Sequence, residues 1–174
     1  VKQMGGWINV YSEVGKGTLF EIYLPRAEKE VTESEKEKAE IKRGKETILL
    51  ADDEEMVLQL GKRILEKYGY KVLTARDGKE AISLFTKRKK EIDLVILDLT
   101  MPGYNGLVAM EEIYELSPGF PVIISSGYSA NHLLEDVKKK AKAFLPKPFF
   151  PTQMAKLVRE ILDKSRKSDR GGKV

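Results

Sequence analysis

Five short apolar runs recur through the centre of the chain, each followed by a stretch in which apolar residues return every three or four positions. The runs are Ile48-Leu49-Leu50-Ala51, Val72-Leu73-Thr74-Ala75, Leu94-Val95-Ile96-Leu97, Val122-Ile123-Ile124 and Ala143-Phe144-Leu145. Their length and lack of alternation predict strands buried on both faces. After the first run, Val57, Leu60, Ile64 and Leu65 fall on one face of a predicted helix, and further helical stretches are expected around Ala81–Phe85, Leu107–Leu116, Leu133–Val137 and Met154–Leu162. The last is the most regular, with Met154, Leu157, Val158, Ile161 and Leu162 at i, i+3, i+4, i+7 and i+8. Continuous apolar strands alternating with helices predict an α/β domain over about Glu46 to Ser165. Its five-stranded parallel sheet would be doubly wound, with right-handed crossovers.

The flanks read differently. Trp7-Ile8-Asn9-Val10-Tyr11 and Thr18-Leu19-Phe20-Glu21-Ile22-Tyr23-Leu24 are β-type runs separated by Glu13-Val14-Gly15-Lys16-Gly17 and closed by Pro25, which predicts a hairpin. Two strands alone are marginal in water, so this hairpin needs a surface to pack on. From Ala27 to Lys45, twelve of nineteen residues are charged, six of each sign, which marks a linker. Pairs such as Glu33/Lys36 and Glu35/Lys38 suit a stiff helical rod as well as a loose tether. Residues 166–174 form a polar, basic, Gly-containing tail expected to be mobile. The sequence opens at Val1 in mid-pattern, and a piece of a longer protein is expected.

Composition narrows the function classes. In 174 residues, 31 Lys+Arg stand against 27 Asp+Glu, a net charge of +4, and 41% are hydrophobic, enough for a core. Between Lys164 and Val174, the basic residues Lys164, Arg166, Lys167, Arg170 and Lys173 face a single Asp169, a surplus of +4, so the remainder is neutral. That distribution argues against nucleic-acid binding as a main role. The absence of Cys excludes disulfides, thiolate zinc sites and Cys nucleophiles, and fits a reducing compartment. No apolar run is long enough for a bilayer and no basic-then-apolar leader is present, so a cytoplasmic location without membrane contact is expected.

In an open α/β sheet the functional crevice lies beyond the carboxyl ends of the strands. Here those ends carry Asp52 and Asp53, then Asp98, then Ser125 and Ser126, then Lys147-Pro148. With the first and third strands adjacent, three carboxylates converge. Each like-charge pair at about 5 Å costs about 3 kcal/mol at an effective dielectric of 20. A cation must offset that, and oxygen donors suit hard Mg²⁺, with Lys147 as a fixed point charge. Taken singly, Asp52 or Asp53 could equally cap the following helix, and Asp98 could open a turn toward Pro102-Gly103.

These residues carry a resemblance. Asp52-Asp53-Glu54, Asp98-Leu99-Thr100-Met101-Pro102-Gly103, Pro121 through Ser126-Gly127, and Lys147-Pro148-Phe149 together resemble the receiver domain of two-component response regulators, over essentially all of Glu46–Ser165. The resemblance implies a flavodoxin-like (βα)5 fold with strand order 2-1-3-4-5 and Asp98 as acceptor of a phosphoryl group from phosphohistidine. It implies Mg²⁺ held by Asp53 directly, by Asp52 partly through water, by Asp98, and by the backbone carbonyl of Thr100. Ser126 and Lys147 would hold phosphate oxygens, and Phe144 would be the aromatic switch residue. The partner would be a histidine-kinase phosphohistidine domain or a histidine phosphotransfer protein. Output would leave through the fourth helix, fifth strand and fifth helix, the fourth carrying Lys138, Lys139, Lys140 and Lys142 at its end. The alternative is a phosphate sink or protein-binding receiver without conformational output. Phosphoryl transfer to a carboxylate needs positioning and charge neutralisation more than proton transfer, so no general-base histidine is required. The single His132 is expected at the surface. A haloacid-dehalogenase-like phosphatase would want a second Asp where Thr100 stands.

The flank has its own resemblance. Val1 through Trp7, Tyr11-Ser12, Gly15 through Phe20 and Leu24-Pro25 resemble the C-terminal end of a histidine-kinase ATPase domain, over about Val1–Arg26. The nucleotide-binding segments of that domain have no counterpart here, so no kinase activity follows for this chain. The order of the pieces implies the C-terminal part of a hybrid sensor histidine kinase, whose receiver catalyses only its own phosphorylation and dephosphorylation.

Overall fold

Successive side chains of a strand point to opposite faces, so a run such as Ile48–Ala51 can be buried throughout only where both faces are covered. The structure, a computed structural model, meets that condition. It describes residues 1, 5–26, 41–127 and 140–171, with side chains through Ser165. Two compact units are formed, Val1–Ala39 and Glu40–Val174.

The first unit holds β1 (Trp7–Glu13) and β2 (Gly17–Tyr23), paired antiparallel from Trp7↔Tyr23 to Glu13↔Gly17. Gly15 and Gly17 take positive φ at the turn, a conformation that favours glycine. One face of the ribbon carries Ile8, Ile22, Val10 and Phe20, with Ser12 and Thr18 joined by a 2.9 Å hydrogen bond. On the other, Trp7 and Tyr23 stack with centroids 4.9 Å apart.

The second unit runs β3 (Thr47–Ala51), α1 (Glu55–Lys67), β4 (Lys71–Ala75), α2 (Gly78–Arg88), β5 (Leu94–Asp98), α3 (Gly106–Leu116), β6 (Val122–Ser126), β7 (Ala143–Pro146) and α4 (Pro151–Gly171). The sheet is parallel, in order β4-β3-β5-β6-β7, which is 2-1-3-4-5 counted within the unit. Alternate strand residues serve two cores. Leu49, Ala51, Val95, Leu97, Val122 and Ile124 meet Ala81 and Phe85 of α2 and Ala109, Met110 and Ile113 of α3. On the other face, Ile48, Leu50, Leu94, Ile96 and Ile123 meet Leu58, Ile64 and Leu65 of α1 and Met154, Val158, Ile161 and Leu162 of α4. Full burial of each such aliphatic side chain contributes about 1.5–3 kcal/mol, so both layers are needed to hold the sheet. Among the described residues no helix is long and apolar enough to cross a membrane.

Two expectations meet the structure differently. Leu60 is 51% exposed rather than on the buried face of α1. The stripe that faces the sheet is Leu58, Gly61, Ile64 and Leu65, because a Cβ at Gly61 would stand 2.7 Å from the Leu50 side chain. A glycine gives the helix its closest approach, and a glycine leaves no mark in an apolar pattern. The last helix continues to Gly171, beyond the Ser165 boundary drawn for the basic tail. It carries Arg159–Asp163 and Glu160–Lys164 pairs at i,i+4, at 2.9 and 2.6 Å, which favour helix. The predicted helix at Leu133–Val137, His132, Lys138, Lys139 and the linker through Glu40 lie outside the described residues.

Candidate functional site

The chain passes from β3 to β4 on one side and then to β5 on the other, so the crevice of the sheet opens between the carboxyl ends of β3 and β5. Asp98 is the last residue of β5 and Asp52 follows directly on β3. Register pairs Ala51 with Leu97, so the next residues on both strands are the aspartates. Both are buried, Asp98 at 1% and Asp52 at 2% exposure. Asp53 is exposed. Each of Asp52, Asp53 and Asp98 offers a carboxylate oxygen, all within 4.8 Å of one another.

Lys147 follows β7 and reaches across the sheet end. Its Nζ lies 2.6 Å from Asp52 Oδ2 and 2.7 Å from Asp98 Oδ1, with its side chain 18% exposed. Burial works against its charge, but the two carboxylates outweigh burial and raise its pKa. Burial raises the pKa of Asp52; Lys147 and the Glu54 amide, which donates to Oδ1 at 3.0 Å, oppose this, while Asp98 adds to it. Three carboxylates and one ammonium leave two negative charges uncompensated if all ionise, on a face where Asp53 meets solvent. The donor set is all oxygen, and the solvent-open side leaves room for retained waters. Both features fit a hard divalent cation of the Mg²⁺ type, which would be held by Asp52, Asp53 and Asp98.

The remaining predicted residues are distributed around this cluster. The Thr100 amide and hydroxyl both donate to Asp98 Oδ2, each at 2.9 Å, fixing the carboxylate orientation. Ser126 ends β6, fully buried, and its carbonyl accepts from the Lys147 amide at 2.8 Å, which ties the lysine segment to β6. Ser125, opposite Asp98 in register, accepts from the Leu99 amide through its carbonyl at 2.8 Å. Phe144 is not part of the polar cluster. It sits half-buried in β7 opposite Ile124 and packs into the core under α2 and α3.

Capping does not account for the acids. The N-cap of α1 is Glu54, without a side-chain cap hydrogen bond. Asn105 caps α3, accepting from Leu107 and Val108. Sequence reasoning missed Gly106, where a Cβ would collide with the carbonyl of Asp98. The start of α3 can therefore lie against the end of β5 only with glycine at that position. The glycine directly after the Asn cap was the available signal.

A doubly wound parallel sheet in the order 2-1-3-4-5, with an acidic cluster and a lysine at its carboxyl end, defines a receiver-type fold. The family model described as the response regulator receiver domain matches residues 48–159, and the chain belongs to that family. It is 38% identical to the sensor kinase CckA of Brucella abortus over 94% of this chain and 18% of that protein. The chain thus spans less than a fifth of that kinase's length. Among solved structures, a response regulator receiver domain protein from Clostridium thermocellum aligns over 71% of this chain and 98% of its own, with TM-score 0.66 and 31% identity. The CheX-CheY-BeF3-Mg complex from Borrelia burgdorferi aligns over 69% of this chain and 89% of that one, with TM-score 0.61 and 29% identity.

Proposed function

We propose that this chain is the phosphoacceptor module of a phosphorelay and that Asp98 takes a phosphoryl group from a phosphohistidine. A single observation carries the reading: three carboxylates offer oxygens within 4.8 Å of one another, and one partly buried lysine bridges Asp52 and Asp98. An Asp98 oxygen attacks phosphorus in line, the P–N bond to the imidazole breaks, and the leaving nitrogen keeps the electron pair. Lys147 and Ser126 hold phosphoryl oxygens. Asp52, Asp53, Asp98 and the Thr100 carbonyl hold Mg²⁺, which when bound supplies charge neutralisation for the incoming phosphoryl group. Magnesium is a component of the Borrelia CheX-CheY complex, which supports that choice of ion.

The donor is a protein. Met56, 86% exposed and three residues after Asp53, and Phe150, 75% exposed and three after Lys147, are the apolar side chains we assign to contact with a phosphohistidine-bearing helix. Output runs through Ser126 and Phe144 to a surface that includes β7 and α4. We assign residues 1–26 to the end of a histidine-kinase ATPase domain, 27–45 to a linker, and 46–165 to the receiver, with the basic residues after 165 continuing its last helix to Gly171, in a cytoplasmic hybrid kinase. The length of the match to the sensor kinase CckA supports that assignment.

The test is incubation with a small acyl phosphate donor, with Mg²⁺ or with chelator. Labelling is expected on Asp98, dependent on Mg²⁺ and abolished by Asp98→Asn. Undiminished labelling of that variant would overturn the assignment.

A further inference from the structure

At the amino end of the sheet, away from the aspartates, a second charged group is closed inside the fold. Glu46 precedes β3 and is 4% exposed. Its Oε2 accepts from the Lys45 amide at 2.8 Å, and its Oε1 meets Arg159 Nη1 of α4 at 3.0 Å. The Arg159 side chain is 11% exposed and also reaches Asp163 at 2.9 Å. Buried Tyr70 lies against the same guanidinium. The incoming backbone is fixed as well: the Gly44 amide donates to Tyr68 O at 2.9 Å, the Lys71 amide to Glu46 O at 2.9 Å, and a Cβ at Gly44 would strike the Tyr70 ring.

Replacing a buried ion pair by apolar residues of similar volume is often neutral or stabilising, so stability alone does not call for this one. Its placement suggests another role. Helix α4 begins four residues after Lys147, whose ammonium holds Asp52 and Asp98. From Pro151 to Arg159 the helix is a rod of about 12 Å at 1.5 Å per residue. One end of that rod is attached to the phosphoacceptor cluster through Lys147, and the other grips the segment by which the chain enters the sheet.

We propose that the Glu46–Arg159 pair is a coupling clamp through which the state of Asp98, relayed by Lys147 and α4, changes the order of residues 43–46. This inference rests on the phosphoacceptor reading and adds to it a second exit for the signal, toward the N-terminal side of β3. Arg159 and Glu46 act as positioning residues; neither touches the reacting atoms.

Amide exchange at Gly44 and Lys45, whose N–H groups are held by Tyr68 and Glu46, reads the clamp directly. It is measured on the full chain with and without beryllofluoride plus Mg²⁺, while ¹⁹F NMR reports binding at Asp98. In the native chain, beryllofluoride is expected to change both exchange rates by roughly fivefold or more. In Arg159→Met the ¹⁹F signal persists but the exchange response at Gly44 and Lys45 is lost. Should Arg159→Met not fold, Glu46→Gln, which keeps the shape of the side chain, is expected to show the same loss. Asp163→Ala removes only the exposed arm and is expected to keep the response. Rates that ignore bound beryllofluoride in the native chain, or a response that survives in Arg159→Met or Glu46→Gln, would sink the clamp. Absence of the ¹⁹F signal in the native chain would instead overturn the phosphoacceptor reading, and the clamp with it.

Discussion

The two ends of the same sheet solve opposite electrostatic problems. At the amino end, Arg159 sits between buried Glu46 and half-exposed Asp163, and backbone amides complete the coordination of Glu46. At the carboxyl end, one lysine faces three clustered aspartates, and Asp53 is open to solvent. A closed charge group can be broken only at a cost to folding, whereas an under-neutralised one accepts a cation from outside. The fold therefore closes one end and leaves the other open to a cation.

The sharpest way to break this comparison is to remove the cation from each end. Arg159→Met takes the guanidinium away from buried Glu46 and is expected to cost about 3–5 kcal/mol in urea unfolding, unaltered by Mg²⁺. Lys147→Met is expected to cost about 3 kcal/mol in chelator, most of it recovered when Mg²⁺ is added, because a divalent ion can replace the lost ammonium. Equal, Mg²⁺-independent losses would erase the distinction between the two ends. Next in size is the ion itself. At a hundredfold excess over its Kd, Mg²⁺ is expected to raise the stability of the native chain by about 2.7 kcal/mol. Thermal melts should show no such rise in Asp53→Asn. The third effect is smaller and of opposite sign to an ordinary site mutation. Asp98→Asn, assayed in chelator, removes one of the mutually repelling carboxylates while Lys147 keeps Asp52, and is expected to stabilise by about 1 kcal/mol. A loss of stability would mean that the Lys147–Asp98 attraction outweighs the repulsion.

How far the sequence reached follows the same division. The strands were legible because burial on both faces removes polar residues from a run such as Leu94–Leu97, and the acidic end was legible because parallel strands deliver their next residues to one crevice. Asp52, Asp98 and Lys147 could thus be placed together from sequence. The closed end was not legible. Glu46 and Arg159 are 113 positions apart, and Arg159 occupies a position between Val158 and Ile161 that periodicity assigns to solvent. Gly61 and Gly106 escaped for a related reason: what matters at each is the absence of a Cβ, which no apolar pattern records. The same absence misdirected the face of α1 toward Leu60.

The two ends should also answer pH with opposite signs. Burial acts to raise the pKa of Glu46, but its own and the Lys45 backbone amides, with Arg159, outweigh burial and hold it below the ordinary carboxylate value. A depressed folded-state value contributes stability above the unfolded value and loses it as pH falls through the folded one. Asp52 is shifted the other way, raised by burial first and by Asp98 to a lesser extent. A raised folded-state value contributes stability below the unfolded value and loses it as pH rises through the folded one. In chelator, the stability lost by Glu46→Gln relative to the native chain should therefore shrink as pH falls from about 6 to about 3. Asp52→Asn should gain on the native chain as pH rises through the same window. Denaturant midpoints at several pH values measure both slopes, and parallel slopes in the two variants would mean that the ends of the sheet are not electrostatically distinct.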